Sequence, residues 1–217
     1  SIVSNADLGR TLSQIRRFGP NAFYRGPIAR QIIGYSSVES GAVAGADLSG
    51  YQPNRGAPQV VQVGSEVAYL PPSRTGAGAF AGAVLQSLVG QGGTLASDES
   101  SGSAVGSAVR QALNRYGVQS LPKDLGATGF AAVDASGQAV ACAVTMNGPF
   151  GSGHTAEGTG VTLARSPSSG DSGLAAAFLT PVVATDGEGG SVTLAGAGAG
   201  GPNGTASIAY ALVKLAR

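Results

Sequence analysis

Few residues in this 217-residue chain could perform chemistry, because it contains one histidine, His154, and one cysteine, Cys142. His154 stands in the stretch FGSGHTAEG without a cysteine or acidic partner at ligand spacing, so we expect neither a metal site nor a Ser-His-Asp triad around it. Apolar residues flank Cys142 on both sides, which predicts a small buried core residue rather than a reactive thiol. The chemistry that remains is that of a hydroxyl group acting without histidine.

A hydroxyl group can act in this way when it belongs to the first residue of a chain. Such an N-terminal Thr, Ser or Cys uses its own α-amino group as the base, and it requires a chain break just before a strand. The stretch GATGFAAVDASG, residues 126–137, is predicted as a turn, a strand and a second turn in the middle of the chain. Thr128 lies near its start, which raises the question whether a new chain begins here.

A glycine-rich loop is the second candidate for chemistry. Gly196, Gly198 and Gly201 match the pattern G-x-G-x-x-G between a predicted strand and a predicted helix. A dinucleotide site would need a further strand and an acidic residue about 20 positions downstream, and too little sequence follows Gly201 for either. We therefore expect no nucleotide site. The backbone N–H groups of this loop are instead candidates for an anion-binding or oxyanion nest at the start of the last helix.

Charge and hydropathy argue against two classes of partner. The net charge is +1 and the 13 basic residues are scattered, so the clustered basic face of a nucleic-acid-binding protein is missing. No apolar run approaches the roughly 20 residues of a membrane-spanning helix. Gly accounts for 36 residues without a three-residue period, which indicates a globular chain with many tight turns. Because the first residue is Ser1 rather than Met, we expect a processed or trimmed chain.

The first half of the chain is predicted to be mainly helical. NADLGRTLSQIRRFG predicts a helix with Asn5 as its N-cap, and a second helical stretch is interrupted at Gly26-Pro27. Two apolar arms around Gly64-Ser65 predict a hairpin, and residues 76–89 predict a helix of small residues. The Gly- and Ser-rich residues 91–107 predict a surface loop before the helix AVRQALNRYG.

The second half is predicted to be rich in strands. From Ala127 onward, short apolar strands alternate with glycine turns, and a helix over about Thr205 to Leu215 ends the chain. Helices first, strands next and a final helix predict an α+β fold, a layered sandwich in which helices cover an antiparallel sheet.

Several stretches together resemble the γ-glutamyltranspeptidases. TGFAAVDASGQAVACAVTMNGPFGSGHTAEGTGVTLA resembles the start of the small subunit of that family, with its strand, Asp-x-x-Gly hairpin, Thr-x-Asn pair and Phe-Gly-Ser-Gly turn in order. NADLGRTLSQIRRFGPNAFYRGPIARQI, ADLSGY and VAYLPPSRTGAG resemble the closing part of the large subunit. FLTPVVATDGEGGSVTLAGAGAGGPNGTASI resembles the carboxy-terminal strands and their glycine-rich loop. The resemblance spans essentially the whole chain.

The resemblance implies a four-layer αββα sandwich of the N-terminal-nucleophile hydrolase type. It implies autoproteolysis into two subunits, so that residues 1–126 correspond to the end of the large subunit and 127–217 to the small subunit, together forming one domain. It further implies transfer or hydrolysis of γ-glutamyl amides through an acyl-enzyme, with no metal or organic cofactor. Such enzymes are usually exported, so a periplasmic or secreted protein is expected.

Carried over position by position, the family's site is only partly present. Thr145 and Asn147 match the pair that orients the nucleophile and contacts substrate, and Gly200 and Gly201 lie in the glycine-rich loop expected to bind substrate. The nucleophile position falls on Ala127, which has no hydroxyl group and leaves the chain uncleaved there. Thr128 is the neighbouring candidate nucleophile, but a shift of one residue along a strand turns a side chain to the other face.

Other expected groups are replaced. The tandem serine that binds substrate is replaced by Ala177-Phe178, and the acidic residue that grips the glutamyl α-amino group is replaced by Ser169, with Asp171 nearby. The family's long amino-terminal region, with its substrate-binding arginine, is absent from this sequence.

Three hypotheses follow. The protein is a divergent relative that acts on a small-molecule amide or peptide through Thr128, or one whose natural nucleophile was changed to Ala127. Alternatively, it is an inactive pseudoenzyme that serves as a binding or assembly subunit of a larger complex. In the third hypothesis an amino-terminal companion chain supplies the missing segment, which is compatible with the first.

Overall fold

A computed structural model describes residues 4–38, 43–90, 98–121, 125–166, 174–187 and 190–216. The chain divides into two compact units. The first comprises Ser1–Arg55 and Phe150–Ser166, and the second comprises Gly56–Pro149 and Pro167–Arg217. The subunit boundary predicted between residues 126 and 127 falls inside the second unit and stays a prediction.

In the first unit, the described residues form helices and one short hairpin: α1 (Ala6–Phe18), α2 (Asn21–Tyr24), α3 (Pro27–Val38), α4 (Gly45–Ser49), β5 (Thr155–Ala156) and β6 (Val161–Thr162). The predicted start of α1 is confirmed, since the Asn5 side chain accepts a hydrogen bond from the N–H of Leu8. Ile28 and Ile32 of α3 form a small core with Ala156 of β5. The buried Thr11 hydroxyl donates to the carbonyl oxygen of Thr159, which ties α1 to the β5–β6 turn.

A four-stranded antiparallel sheet organises the second unit. The unit includes β1 (Gln59–Val63), β2 (Glu66–Leu70), α5 (Gly76–Gly90), α6 (Asp98–Arg115), α7 (Leu174–Ala177), β7 (Thr180–Asp186), β8 (Val192–Gly198) and α8 (Pro202–Leu215). The strand order in the sheet is β1-β2-β7-β8. The β1–β2 hairpin turns at Gly64-Ser65, as predicted. Helices α5 and α8 pack on one face of this sheet, and α6 packs on these two helices, around a core that includes Phe80, Val84 and Leu212.

A second sheet lies on the opposite face of β7 and β8. It is the hairpin of β3 (Ala127–Val133) and β4 (Ala139–Thr145). Gly129 permits the close approach, because a Cβ atom there would stand 2.3 Å from the carbonyl oxygen of Ala197 in β8. The outer face of the hairpin is open to solvent, and Phe130 there is 56% exposed.

These layers confirm the predicted α+β class. Helices, four-stranded sheet and hairpin account for three of the four predicted layers in the second unit, and the fourth stays a prediction.

Two local expectations are wrong. Helix α6 begins at Asp98, inside the stretch predicted to be a loop, because Val105, Ala108 and Ala112 continue a helical apolar period that is buried against the core. Cys142 is only partly buried, because it lies opposite Phe130 on the outer face of the hairpin rather than in the core. Its apolar neighbours in sequence alternate across the strand and do not surround it.

Candidate active site

A cavity of about 470 Å³ opens where β3 begins and β4 ends, entirely within the second unit. Its lining combines the predicted site residues with apolar neighbours: Gly126, Ala127, Thr128, Val144, Thr145, Met146, Pro149 and Gly200. The two strands, the turn after β4 and the loop before α8 therefore converge on one site.

Gly126 adopts a backbone conformation that a side chain would obstruct. Its φ of 54° lies in the left-handed region, and an added Cβ atom would stand 2.1 Å from the carbonyl carbon of Gly148 and 2.3 Å from the nitrogen of Pro149. The Cα atom of Gly126 thus packs closely against the Gly148-Pro149 peptide bond. This fixes the residue that precedes the expected nucleophile position.

The Thr145 hydroxyl binds the peptide bond between Gly126 and Ala127. Its Oγ1 donates to the carbonyl oxygen of Gly126 at 2.6 Å and accepts a hydrogen bond from the N–H of Asn147 at 2.9 Å. The second bond orients the hydroxyl, and the two together form a chain that polarises the Gly126 carbonyl. Asn147 has a φ of 57°, a left-handed conformation that asparagine tolerates better than most residues.

Strand register distinguishes Ala127 from Thr128. Ala127 lies directly opposite Thr145, so the two side chains share a face of the hairpin. Thr128 lies opposite Val144, so its side chain points to the other face. Both residues line the cavity, but only the side chain at position 127 is on the same side as the Thr145 hydroxyl. Thr128 as the nucleophile stays a prediction.

The glycine-rich loop approaches the cavity from the start of α8. Gly200 lines the cavity, and no atom lies within 4 Å of where its Cβ atom would be, so the space beside it is open. Gly201 is the N-cap of α8, and Pro202 occupies the first helical turn. The N-terminus of this helix carries partial positive charge, which suits a developing oxyanion. A substrate-binding role for Gly200 and Gly201 stays a prediction.

Other candidates from the sequence lie elsewhere. Phe178, which the resemblance predicts at the position of a substrate-binding serine, is 1% exposed and packs edge-on against the Phe80 ring in the core. Ser169 and Asp171 lie outside the described residues. His154 belongs to the first unit, where its ring lies 6.5 Å from that of Tyr35. Within the described ranges, no group of three or more His, Cys, Asp or Glu side chains could hold a metal ion.

The sequence did not single out the packing of Gly126 against Gly148 and Pro149. A sequence signal was available for a different contact, the pairing of Ala127 with Thr145. The turn that joins Asp134 to Gln138 fixes the strand register, and counting outward from this turn pairs the two residues. The contact between Gly126 and Gly148-Pro149 has no comparable signal, since it depends on the path of the chain after β4.

The fold resembles that of a solved cephalosporin acylase. The crystal structure of cephalosporin acylase from Bacillus halodurans matches with a TM-score of 0.51 at 15% identity, over 83% of this chain. The chain corresponds to 41% of the length of that acylase chain. At this identity the likeness concerns the fold alone. No curated protein sequence matches.

A comparison of the sequence with family models shows the family. The family model of the γ-glutamyltranspeptidases matches residues 1–109, which is half of the chain. The chain belongs to the γ-glutamyltranspeptidase family, as its resemblance predicted. The matched residues precede Gly126, so the assignment of the site depends on the geometry described above. Among the described helices, none is long and apolar enough to cross a membrane.

Proposed function

We propose that this chain is a γ-glutamyltranspeptidase-like protein whose site at residues 126–128 is built for acyl transfer or amide hydrolysis through an N-terminal nucleophile. We also propose that Ala127 holds it in the uncleaved form. The observation that carries the proposal is the hydrogen bond from the Thr145 hydroxyl to the carbonyl oxygen of Gly126. A donor at this oxygen serves the chemistry of self-cleavage.

Self-cleavage at this bond would begin with a hydroxyl group at position 127. Its oxygen adds to the Gly126 carbonyl carbon, and negative charge develops on the carbonyl oxygen, where Thr145 donates. The hydroxyl proton passes to the nitrogen of residue 127 as the bond from Gly126 to that nitrogen breaks, which leaves an ester and a free α-amino group. Water hydrolyses the ester, and residue 127 becomes the first residue of a new chain. Ala127 lacks only the attacking oxygen.

The same groups would serve the later reaction with substrate. The freed α-amino group acts as the base for the nucleophilic hydroxyl, and a substrate amide is converted into an ester and a released amine. Water or a second amine then takes the acyl group. The N-terminus of α8, beside Gly200, is placed to stabilise negative charge on the acyl oxygen. The steps require no metal or organic cofactor.

A second function is favoured by Ala127 itself. Without a hydroxyl group at this position, the family's chemistry cannot start, and the cavity beside it is walled by Val144, Met146 and Pro149. A protein that keeps the fold and has lost the nucleophile would act as a binding or assembly subunit. In that case, an amino-terminal companion chain or a larger complex would be its partner, in a periplasmic or secreted location.

Substitution at position 127 separates the two functions. Intact-mass measurement of Ala127→Thr and Ala127→Ser should show two fragments divided between residues 126 and 127, and hydrolysis of a γ-glutamyl anilide should follow. Ala127→Val is the matched control, since valine has the shape of threonine without the hydroxyl, and it should stay intact. Adding Thr128→Val to Ala127→Thr should leave the cleavage unchanged.

Three results would contradict parts of this proposal. If both hydroxyl variants fold and remain intact after long incubation, self-cleavage is excluded and the binding function gains support. Cleavage of the unaltered chain between residues 127 and 128 would instead identify Thr128 as the nucleophile. Native mass spectrometry of protein isolated from its source organism tests the companion chain, and a monomer without a bound partner would contradict it.

A further inference from the structure

A cleft of about 500 Å³ lies within the first unit, whereas the residues assigned to catalysis belong to the second unit. Its wall combines two tyrosines with a small set of polar groups: Pro20, Asn21, Tyr24, Arg25, Leu48, Ser49, Tyr51, Gln52 and Pro53. A concave site of this size, with aromatic walls and a few polar side chains, has the composition of a small-molecule site.

Two contacts join the sides of the cleft. The rings of Tyr24 and Tyr51 are stacked, with centroids 5.3 Å apart and planes 3° apart. The Arg25 guanidinium donates from Nη2 to the carbonyl oxygen of Ser49 at 3.1 Å. These contacts connect the end of α2 to the segment that follows α4, so the walls are in place before a ligand arrives. A preformed site loses less conformational freedom on binding.

The cleft walls offer a ring surface and a positively charged group. Tyr51 is 55% exposed, so the stacked pair still offers ring surface to a flat group. Arg25 makes no ion pair within the part of the chain that the structure describes, and a carboxylate would be a strong partner for its remaining N–H groups. The nearby Asp47 carboxylate already accepts from the N–H of Ala44. No acidic side chain lines the described wall of the cleft.

We propose that this cleft binds an aromatic carboxylate, with its ring against Tyr51 and its carboxylate on Arg25. The ligand is a free aromatic acid or the carboxy-terminal aromatic residue of a peptide, since both present a ring and a carboxylate. The alternative is that the tyrosine pair and Arg25 only fasten the connection after α4 to α2. That role requires no ligand.

Titrations observed by amide NMR test the proposal on the full chain. Benzoate should shift the amides of the lining residues, with a dissociation constant on the order of 1 mM, as expected for a small ligand with one charged contact. Benzamide lacks the charge and cyclohexanecarboxylate lacks the flat ring, so each should bind about fivefold to tenfold more weakly. Comparison of benzoate with N-acetyl-phenylalanine shows whether a free acid or a peptide terminus fits better.

Variants locate the site. Arg25→Gln should weaken benzoate binding about tenfold, and Tyr51→Leu about fivefold. Arg30→Gln, an exposed arginine of α3 outside the cleft lining, is the matched control and should leave the affinity unchanged. The absence of shifts at the cleft, equal binding of benzamide, or full affinity in a folded Arg25→Gln variant would each overturn the proposal. Should Tyr51→Leu fail to fold, the ligand series on the unaltered chain still decides.

Discussion

The Thr145 hydroxyl and the Gly126 carbonyl oxygen lie 2.6 Å apart, across the open end of the β3–β4 hairpin. The hydrogen bond reaches the one carbonyl group that would have to be attacked for the chain to divide before Ala127. In the uncleaved chain it holds a peptide bond, and during cleavage it would hold an oxyanion. Under the proposed function, a chain without the attacking oxygen would therefore retain the group that stabilises the product of the attack.

The first prediction concerns this donor. In the Ala127→Ser background, Thr145→Val should slow cleavage between residues 126 and 127 about 10²- to 10³-fold, because one oxyanion donor is lost. The rate is measured by mass spectrometry over time. Thr155→Val, a change at an exposed threonine of β5, is the control and should cleave at the parent rate. An unchanged rate in Thr145→Val would remove Thr145 from the mechanism.

The second prediction concerns the glycine before the bond. Gly126→Ala should lower the free energy of unfolding by about 3 kcal/mol or more, because its Cβ atom would overlap the Gly148-Pro149 backbone and its φ is positive. Gly137→Ala is a matched control, since its φ is 82° but no atom lies within 4 Å of the added Cβ. It should cost only about 1 kcal/mol. Urea denaturation measures the free energy of unfolding of both variants. Equal losses would contradict the close packing of Gly126 against the Gly148-Pro149 backbone.

Local patterns predicted the elements whose determinants are local. The side chain of Asn5 caps α1, and the glycine-serine pair between two apolar arms turns the β1–β2 hairpin, because capping and turn preferences act over three or four residues. The start of α6 was missed for the opposite reason. Gly and Ser weaken the helix signal over residues 98–107, and burial of Val105 and Ala108 against the core overrides that weakness.

In the candidate site, too, features with local determinants could be predicted and features that depend on tertiary packing could not. The position of Ala127 in the family's pattern and the opposite orientation of Thr128 could be read from the sequence, since strand alternation is a local property. The burial of Phe178 and the partial burial of Cys142 could not, because they depend on which layer covers each face. The packing of Gly126 on Gly148 likewise depends on a contact between segments distant in sequence.

The third prediction concerns the turn between β3 and β4. Hydrogen bonds lower the pKa of the Asp134 carboxyl below its ordinary value of 3.8, the Ser136 hydroxyl contributing most and the N–H of Gln138 next. Because the folded-state pKa is the lower one, this carboxylate stabilises the fold above pH 3.8 and loses its contribution as the pH falls through the lowered value. Carboxyl NMR titration should show the lowered pKa. Ser136→Ala should raise the pKa toward 3.8, and no change would contradict the assignment.

The stability difference between the parent chain and Asp134→Asn should follow the same window. Urea midpoints should differ most at neutral pH and converge well below pH 3.8, where both side chains are uncharged. A difference that stays constant through this range would mean that the carboxylate charge plays no part in the turn.

The fourth prediction concerns two buried threonines that join β7 to α8. The hydroxyl oxygens of Thr180 and Thr205 lie 2.7 Å apart, and each residue is 2% exposed or less. Either Thr→Val change alone should cost about 1 to 2 kcal/mol, because the remaining hydroxyl keeps only a long contact with the carbonyl oxygen of Phe178, at 3.4 or 3.5 Å. Changing both leaves neither hydroxyl group without the other, so the double variant should lose less than the sum of the singles. Urea denaturation of all four proteins completes the cycle, and strictly additive losses would show that the two hydroxyl groups act independently.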